Sequence, residues 1–481
     1  MKIILVKILL LALVLGHIPM EARGADPLKT RLTRVLRRNR IPGRKSVYAK
    51  WLGGKTIYQT NARLAVTPAS CIKLLSTATA IRWMGKNYRF TTKFSGQHTG
   101  KKMTTPLYWW SNGNPTFTLN DLAKAVAKIH AAGIREIPMG VVIDATYFQN
   151  KRPRGFESYR GSQAYLTRPY PVAVEGNHVT VEIVPSGATA KVTCVPSSPL
   201  IRCTSSVKLG PSTKGLLSTS RMGKGGVLEV FTRGVLGRNE KKEVRRVRSY
   251  DPLKFTAGAL LSALQAAGIT VPQKYSNGRT PKDMTAYYES LSEPLQTVVQ
   301  KTNQHSNNFW AENITRALGA FKYGVPGTTT KGLREVNALL IRSGVKKLYF
   351  NLSNGSGLYG NSRISSKHLV RFMERLHTIP WLHQIMFRSL ARPGHPGTLY
   401  NRFRGHSAAG SYLFAKTGTL NTASCLAGYL VKGKKTILFA IMNDRIKGNI
   451  TAARKYQDEV AKTLLRRLMG LTIKTRPKPL F

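Results

Sequence analysis

Ser70-Cys71-Ile72-Lys73 sets a hydroxyl and an amine three residues apart, a spacing that puts both on one face of a helix within reach of each other. The residues just before them read as a helix start. Thr67 can cap, Pro68 suits the first turn, and the apolar positions Ile72, Leu74, Leu75 and Ala78 carry the period onward. Ser70 would then be third in the helix, where its backbone N–H has no intrahelical partner and the helix dipole favours a developing negative charge. The chemistry this arrangement can do is nucleophilic attack by a serine with a lysine as base. The spacing alone says little, because Ser205 to Lys208 repeats it in a stretch with no helix-start signature.

Two further triplets supply what such a pair needs. Ser306-Asn307-Asn308 stands just before a predicted helix and offers a second hydroxyl and a carboxamide, and Lys416-Thr417-Gly418-Thr419 ends a predicted strand. Taken singly, Ser306 reads as a cap residue and Lys416 as a solvated lysine. Together, and in this order, the three elements match the S-x-x-K, S-D-N-like and K-T-G set of penicillin-binding proteins and serine β-lactamases. The sequence has no CxxC and no HExxH, and its ten histidines show no metal-ligand spacing, so neither a metal nor another cofactor is expected.

The elements that must position these groups follow from the pattern. A basic helical opening over 25–45, with Arg31, Arg34, Arg37, Arg38 and Arg40, precedes a hairpin from Ser46 to Gln59 around Gly53-Gly54. Residues 86–250 are richer in Thr, Val, Gly and Pro, with strand-like pieces at Gly140 to Ile143 and His178 to Val184 and one helix, Leu119 to Ala132. Helical patterns return over Leu253 to Ala267, Leu291 to Lys301, Asn308 to Phe321 and Lys331 to Ser343. Ser411 to Ala415, Ser424 to Val431 and Thr436 to Asn443 read as consecutive strands before a closing helix, Ile450 to Met469. The layout predicts an α+β domain built from both ends of the chain, its sheet pairing the early hairpin with the late strands, and a β-rich insertion between.

Composition bounds the partners. The 481 residues carry 76 Lys plus Arg against 21 Asp plus Glu, a formal charge of +55, with 42% hydrophobic residues. A chain of this length and apolar content folds around a sizeable core, which excludes a disulfide-stapled miniprotein and a mostly disordered chain. The charge points to contact with a polyanion, an anionic envelope polymer or membrane surface. A specific nucleic-acid partner is not expected, since the basic residues are spread along the chain rather than set among stacking aromatics. The apolar stretch Ile8 to Gly16, too short to span a bilayer that needs about 20 residues, with Ala22-Arg23-Gly24 after it, predicts a secretory signal peptide over residues 1–24. Export would let Cys194 and Cys203 pair, whereas Cys71 and Cys425 sit in apolar runs and read as buried, reduced thiols.

Beyond the triplets, the chain resembles the D-alanyl-D-alanine carboxypeptidase/endopeptidase family, the class C low-molecular-mass penicillin-binding proteins. The resemblance runs through TPASCIKLLSTATAI from Thr67, Gly113-Asn114-Pro115, Val142-Ile143-Asp144 with Tyr147-Phe148, and NHVTVEIVP from Asn177. It continues in Tyr250-Asp251-Pro252, SNNFWAE from Ser306, NGSGL from Asn354, Gly397-Thr398-Leu399 and KTGTLNTASCLAGY from Lys416. It implies a transpeptidase-type domain, an antiparallel sheet flanked by helices, with two nested β-rich insert domains in the long interval between Ser70 and Ser306. The expected division is a catalytic domain over 25–85 and 275–481, insert domain II over 86–110 and 170–274, and insert domain III over 111–169.

The resemblance also implies roles. Ser70 would attack the carbonyl between two D-amino acids, Lys73 take its proton, and Ser306 relay a proton to the leaving amine. Backbone N–H groups of Ser70 and Thr419 would form the oxyanion hole. Asn308 would orient the peptide amide, and Lys416, Thr417, Gly418 and Thr419 would hold the terminal carboxylate. Asp144 matches a position associated with recognition of the stem-peptide side chain. The implied partners are peptidoglycan stem peptides and β-lactam antibiotics, and the implied site of action is the periplasm, peripheral to the membrane. Asn114 and Asn354 depart from the family, which commonly has Asp at both. Two other readings stand beside this one: a β-lactamase, against which no glutamate dedicated to deacylation is marked, and a non-catalytic binder of an anionic envelope polymer, which would have no use for the intact triplets.

Overall fold

The computed structural model describes residues 27–38, 43–156 and 161–471, so the expected signal peptide and Arg40 lie outside the described residues. The basic opening forms the helix Pro27–Arg38. The central sheet has five antiparallel strands in the order Leu413–Leu420, Ala423–Lys432, Lys435–Asp444, Arg44–Trp51 and Thr56–Thr60, so the early hairpin does join the late strands. Val47 faces Ile441 across one junction and Lys416 faces Ala427 across another.

Both faces of this sheet are covered, and the alternation along Lys435–Asp444 shows how. Ile437, Phe439 and Ile441 point to one side, where the helices Ile450–Leu468 and Pro27–Arg38 pack. Leu438, Ala440 and Met442 point to the other, onto the helix Lys73–Met84 and its neighbours. These strands therefore read as unbroken apolar runs. Fully buried side chains such as Leu75 and Phe439 each contribute about 1.5–3 kcal/mol. Lys73–Met84 is buried nearly all round. Its interior hydroxyls are satisfied by carbonyls: Thr79 Oγ1 donates to Leu75 O at 2.7 Å and Ser76 Oγ to Gly355 O at 2.7 Å.

A second five-stranded sheet runs Tyr275–Asn277, Val141–Asp144, Leu107–Ser111, Thr91–Gly96 and Thr285–Leu291. It shares an apolar core with the helices Leu119–Ala131 and Pro252–Ala266. Thr118 and Asp121 close a capping box on the first helix, and Asp251 caps the second ahead of Pro252. Two three-stranded sheets complete the middle of the chain: Thr189–Val195, His178–Ser186 and Glu243–Arg248 in one, Ile201–Gly210, Leu228–Gly237 and Lys214–Met222 in the other. The disulfide Cys194–Cys203 ties one sheet to the other, while Cys71 and Cys425 are buried and free.

Several expectations need correction. Thr67 caps no helix. Its N–H and hydroxyl donate to Asp444 Oδ2 at 3.0 and 3.4 Å, and Ser70 lies in a short 3-10 turn, Ala69–Ile72, ahead of the α-helix. Residues Ser407–Tyr412 form a helical turn where a strand was expected to begin at Ser411, and Lys416 sits inside the strand Leu413–Leu420 rather than at its end. The helix expected from Leu291 begins at Leu295, because Thr285–Leu291 is an edge strand. The helices Ser366–His377 and Pro380–Arg388 were not anticipated. Both carried signals: Ser365 as cap with Leu369, Phe372, Met373 and Leu376 buried at helical spacing, and Pro380 in the first turn.

Candidate active site

Three elements deliver the chemistry-bearing groups to one place: the turn and helix beginning at Ala69, the start of the helix Asn308–Tyr323, and the edge strand Leu413–Leu420. Lys73 is completely buried. Its Nζ lies 2.9 Å from Ser70 Oγ, 2.7 Å from Asn308 Oδ1 and 2.7 Å from Ser356 O. Burial, reinforced by the Lys416 ammonium, holds Lys73 well below the usual lysine range, with Glu312 and Cys71 opposing. A neutral amine has two N–H groups and one lone pair. Asn308 Oδ1 and Ser356 O can only accept, so they take both N–H groups and leave the lone pair facing the Ser70 hydroxyl. That is the geometry of a general base.

Lys416 is equally buried, and burial pushes it down to about 8. Its Nζ donates to Ser306 Oγ at 2.9 Å and to Thr417 O at 2.8 Å. Ser306 takes a left-handed backbone, φ 57°, which turns the chain into the helix, and Asn307 caps that helix by accepting from Trp310 N at 3.1 Å. The strand carrying Lys416 passes so close to the Ser70 turn that a Cβ on Gly418 would lie 2.5 Å from Pro68 O and 3.1 Å from Ser70 N. Only glycine fits. Ser70, Ser306, Asn308, Thr417 and Thr419 border one cleft of about 690 Å³.

The model of the D-Ala-D-Ala carboxypeptidase 3 (S13) family matches residues 28–466. The chain belongs to that family. It is 26% identical over 429 residues to the D-alanyl-D-alanine carboxypeptidase of Actinomadura sp. strain R39, covering 85% of this chain and 78% of the relative. The crystal structure of penicillin binding protein 4 (dacB) from Haemophilus influenzae superposes with a TM-score of 0.76 at 19% identity, over 91% of this chain and 99% of that one. The same protein complexed with a β-lactam gives 0.70 at 19% identity, over 90% and 98%. The α+β fold is thus that of penicillin binding protein 4, and the chemistry of this S13 member is that of a serine D,D-peptidase.

Residues outside the three triplets complete this S13 site. Glu312, one helical turn beyond Asn308, is fully buried and accepts from Ser356 N at 2.7 Å, fixing the carbonyl that receives a Lys73 N–H. Burial raises its carboxyl above the usual range, against the hydrogen bonds from Ser356 and the charge of Arg316. Sequence reading gave Glu312 no role, although an acid four residues from both Asn308 and Arg316 on a mostly apolar helix is a detectable signal. Asn308 Nδ2 donates to Tyr165 O at 3.2 Å, so Tyr165 is a further member of the cleft wall. One N–H and one lone pair of the carboxamide remain for a substrate.

Asn354 explains its own departure from aspartate. Its Nδ2 donates to Arg154 O and Leu358 O, both at 2.8 Å, and its Oδ1 accepts from Gly357 N at 2.7 Å. An aspartate could make the last bond but neither of the first two. Asn114 is buried, with Oδ1 accepting from Thr116 N at 3.0 Å and Nδ2 donating to Thr92 Oγ1 at 3.2 Å, a packing role in the second sheet.

Asp144 is not brought into the cleft. It is 2% exposed; Oδ1 accepts from Thr146 N at 3.1 Å and Thr146 Oγ1 at 2.6 Å, and Oδ2 from Thr280 N at 2.7 Å. Its carboxylate closes a turn and pins a distant loop, and it does not border the cleft that holds Ser70. Among the described residues no group of three or more His, Cys, Asp or Glu side chains is placed to hold a metal ion.

Proposed function

We propose that Ser70 forms an acyl-enzyme with the penultimate D-alanine of peptidoglycan stem peptides, cleaving D-Ala-D-Ala ends and D-Ala-diaminopimelate cross-links. The observation that carries this reading is the 2.9 Å contact between Nζ of buried Lys73 and Ser70 Oγ, with both other Nζ partners acceptors. Ser70 attacks the carbonyl carbon as its proton passes to Lys73, and the oxyanion is met by the backbone N–H groups of Ser70 and Thr419. Losing one such donor costs about 3–4 kcal/mol. Ser306, held by Lys416, returns a proton to the leaving amine. Thr417, Gly418 and Thr419 line the path of the terminal carboxylate, with Arg454, which reaches Thr419 Oγ1 at 3.4 Å, as a second cation at the cleft. Water then releases the acyl group. β-Lactams mimic the D-Ala-D-Ala end and leave a long-lived acyl-enzyme.

Ser70→Ala abolishes both penicillin labelling and release of D-alanine, and peptide mapping places the label on Ser70. A label on Ser205, or undiminished labelling of the variant, overturns the assignment. Mass analysis of digested sacculi separates carboxypeptidase from endopeptidase products. We further propose that the protein is exported to the periplasm and lies at the envelope surface through its basic charge. Among the described residues no helix is long and apolar enough to cross a membrane. The division into domain II over 86–110 and 170–274 and domain III over 111–169 needs redrawing, since Thr91–Gly96, Leu107–Ser111 and Val141–Asp144 share one sheet and core with the helices Leu119–Ala131 and Pro252–Ala266. The proposed division keeps two nested inserts, the outer reaching to about residue 291 and the inner holding the two three-stranded sheets. The pairing of Tyr275–Asn277 with Val141–Asp144 and of Thr285–Leu291 with Thr91–Gly96 supports that shift.

A further inference from the structure

Behind the wall of the cleft, a small recess gathers hydrogen-bond donors that nothing among the described residues uses. It lies between Arg152, Arg168, Arg248, Ser249 and Thr167. Four of its polar atoms are buried without a partner: Arg168 Nε, Arg248 Nε, Thr167 Oγ1 and Ser249 Oγ. Arg248, Thr167 and Ser249 are 6%, 3% and 2% exposed. An unpaired buried guanidinium N–H or hydroxyl costs about 1–3 kcal/mol, so four in one recess call for an occupant.

The charge says which kind. Three guanidiniums border the recess, and among the described residues Asp251, whose carboxylate acts on Arg168, also caps a helix through Lys254 N. Arg248 already stacks on the Tyr250 ring at 3.9 Å, which fixes the plane of its guanidinium. Burial lowers the Arg168 guanidinium below its ordinary range; Asp251 opposes this and Arg152 adds to it. An anion here would relieve all three cations. A water would satisfy the hydrogen bonds but leave the charge.

We propose that this recess binds a phosphate-type oxyanion, with Arg168, Arg248, Thr167 and Ser249 at its floor and Arg152 at its mouth. The floor measures about 10 Å³, room for one oxygen-sized centre, so the rest of the group stands at the mouth. Arg152 also borders a neighbouring cavity of about 930 Å³, lined by Arg154 and Arg334 and by no acid among the described residues, so a phosphate carried by a larger molecule has space and matching charge beyond it. The recess adjoins the cleft physically. Phe156 and Leu166, which line it, pack on Leu358 of the cleft, and the neighbouring Tyr165 holds Asn308. An occupant therefore braces the segment that supports the catalytic carboxamide.

The test is a titration of the full chain, with ¹⁵N-labelled arginine, by inorganic phosphate. The Nε–H resonances of Arg168 and Arg248, assigned with Arg168→Lys and Arg248→Lys, shift together and saturate. Arg152→Gln, an exposed substitution that leaves the fold intact, weakens the affinity about tenfold or more. Arg334→Gln, in the neighbouring cavity, changes it by about twofold at most. Absence of a saturable shift, meaning an ordered water only, overturns the proposal. So does an equal response to acetate, which would make the site one for carboxylates, or an equal loss with Arg334→Gln, which would make the effect one of general charge. Competition by phosphatidylglycerol vesicles at the same resonances identifies a lipid headgroup as the source. Failure of the vesicles to compete while phosphate binds identifies a soluble phosphate.

Discussion

The two active-site lysines have the same side chain and nearly the same burial, yet the protein sets them to different work. Lys73 faces acceptors that fix its lone pair on Ser70, whereas Lys416 donates to a hydroxyl and a carbonyl and is held at about 8. The Lys416 ammonium lowers Lys73 because two buried positive charges repel. The sign of a test follows. Acylation of Ser70 needs Lys73 neutral, so the rate rises with pH through the Lys73 transition. It falls again above about 8, as Lys416 loses the positive charge that holds Ser306 Oγ. Lys416→Gln removes a charge that lowers Lys73, so the rising limb moves to higher pH as well as losing height. A pH profile of acylation by a soluble β-lactam checks this, and a variant slower at every pH with an unmoved acid limb contradicts it. The types and order of Ser70, Lys73, Ser306 and Lys416 were legible in the sequence because the three motifs occur together and in order, whereas the hydroxyl–amine spacing alone recurs at Ser205 to Lys208. Asp144 and Glu312 were not, because what a buried carboxylate does depends on partners far away in the chain: Thr280 for one, Ser356 for the other.

At the scale of elements, the site is a junction between a strand and a helix start, and its tolerances are backbone tolerances. Asp444, at the end of the strand Lys435–Asp444, pairs with Arg44 at 2.6 Å and Arg363 at 3.2 Å while accepting the Thr67 N–H. This one buried acid therefore ties the hairpin to the loop that leads into Ser70. Sequence reading recovered the strands and helices whose period was strong and missed this tie, assigning Thr67 a local role as a cap because a long-range acceptor leaves no local signature. The close pass of Gly418 is testable in isolation. Gly418→Ala places a Cβ 2.5 Å from Pro68 O, so strand and turn must separate by several tenths of an ångström, and the N–H of Thr419 moves off the oxyanion. The expected result is a fall of about 10²–10³ in acylation rate, comparable to losing one oxyanion donor. Thermal unfolding should change far less, since the core on both faces of the sheet is untouched. Acylation at the native rate would mean that Thr419 does not serve the oxyanion.

The whole molecule carries a charge whose distribution separates its effects. With 76 basic residues against 21 acids, and many of those acids committed to partners such as Lys50, Arg221, Lys242 and Arg402, most of the positive charge is unpaired and lies on solvated faces. At about 0.15 M salt the screening length is roughly 8 Å, so charges scattered over the surface do not reach a lysine that is completely buried. Lys73 answers instead to burial and to Lys416, and Lys416 to burial, with Cys71 and Cys425 opposing. The summed field still acts at the surface, where the proposed attraction to an anionic envelope and the faster encounter with anionic substrate would both weaken with salt. Raising salt therefore releases the protein from sacculi or anionic membranes while its saturated turnover of a small, soluble D-Ala-D-Ala peptide stays nearly constant. Co-sedimentation with sacculi and steady-state kinetics over the same salt series measure the two responses side by side. If saturated turnover falls as steeply as binding, the surface charge reaches Lys73, and burial does not insulate the base as its surroundings require.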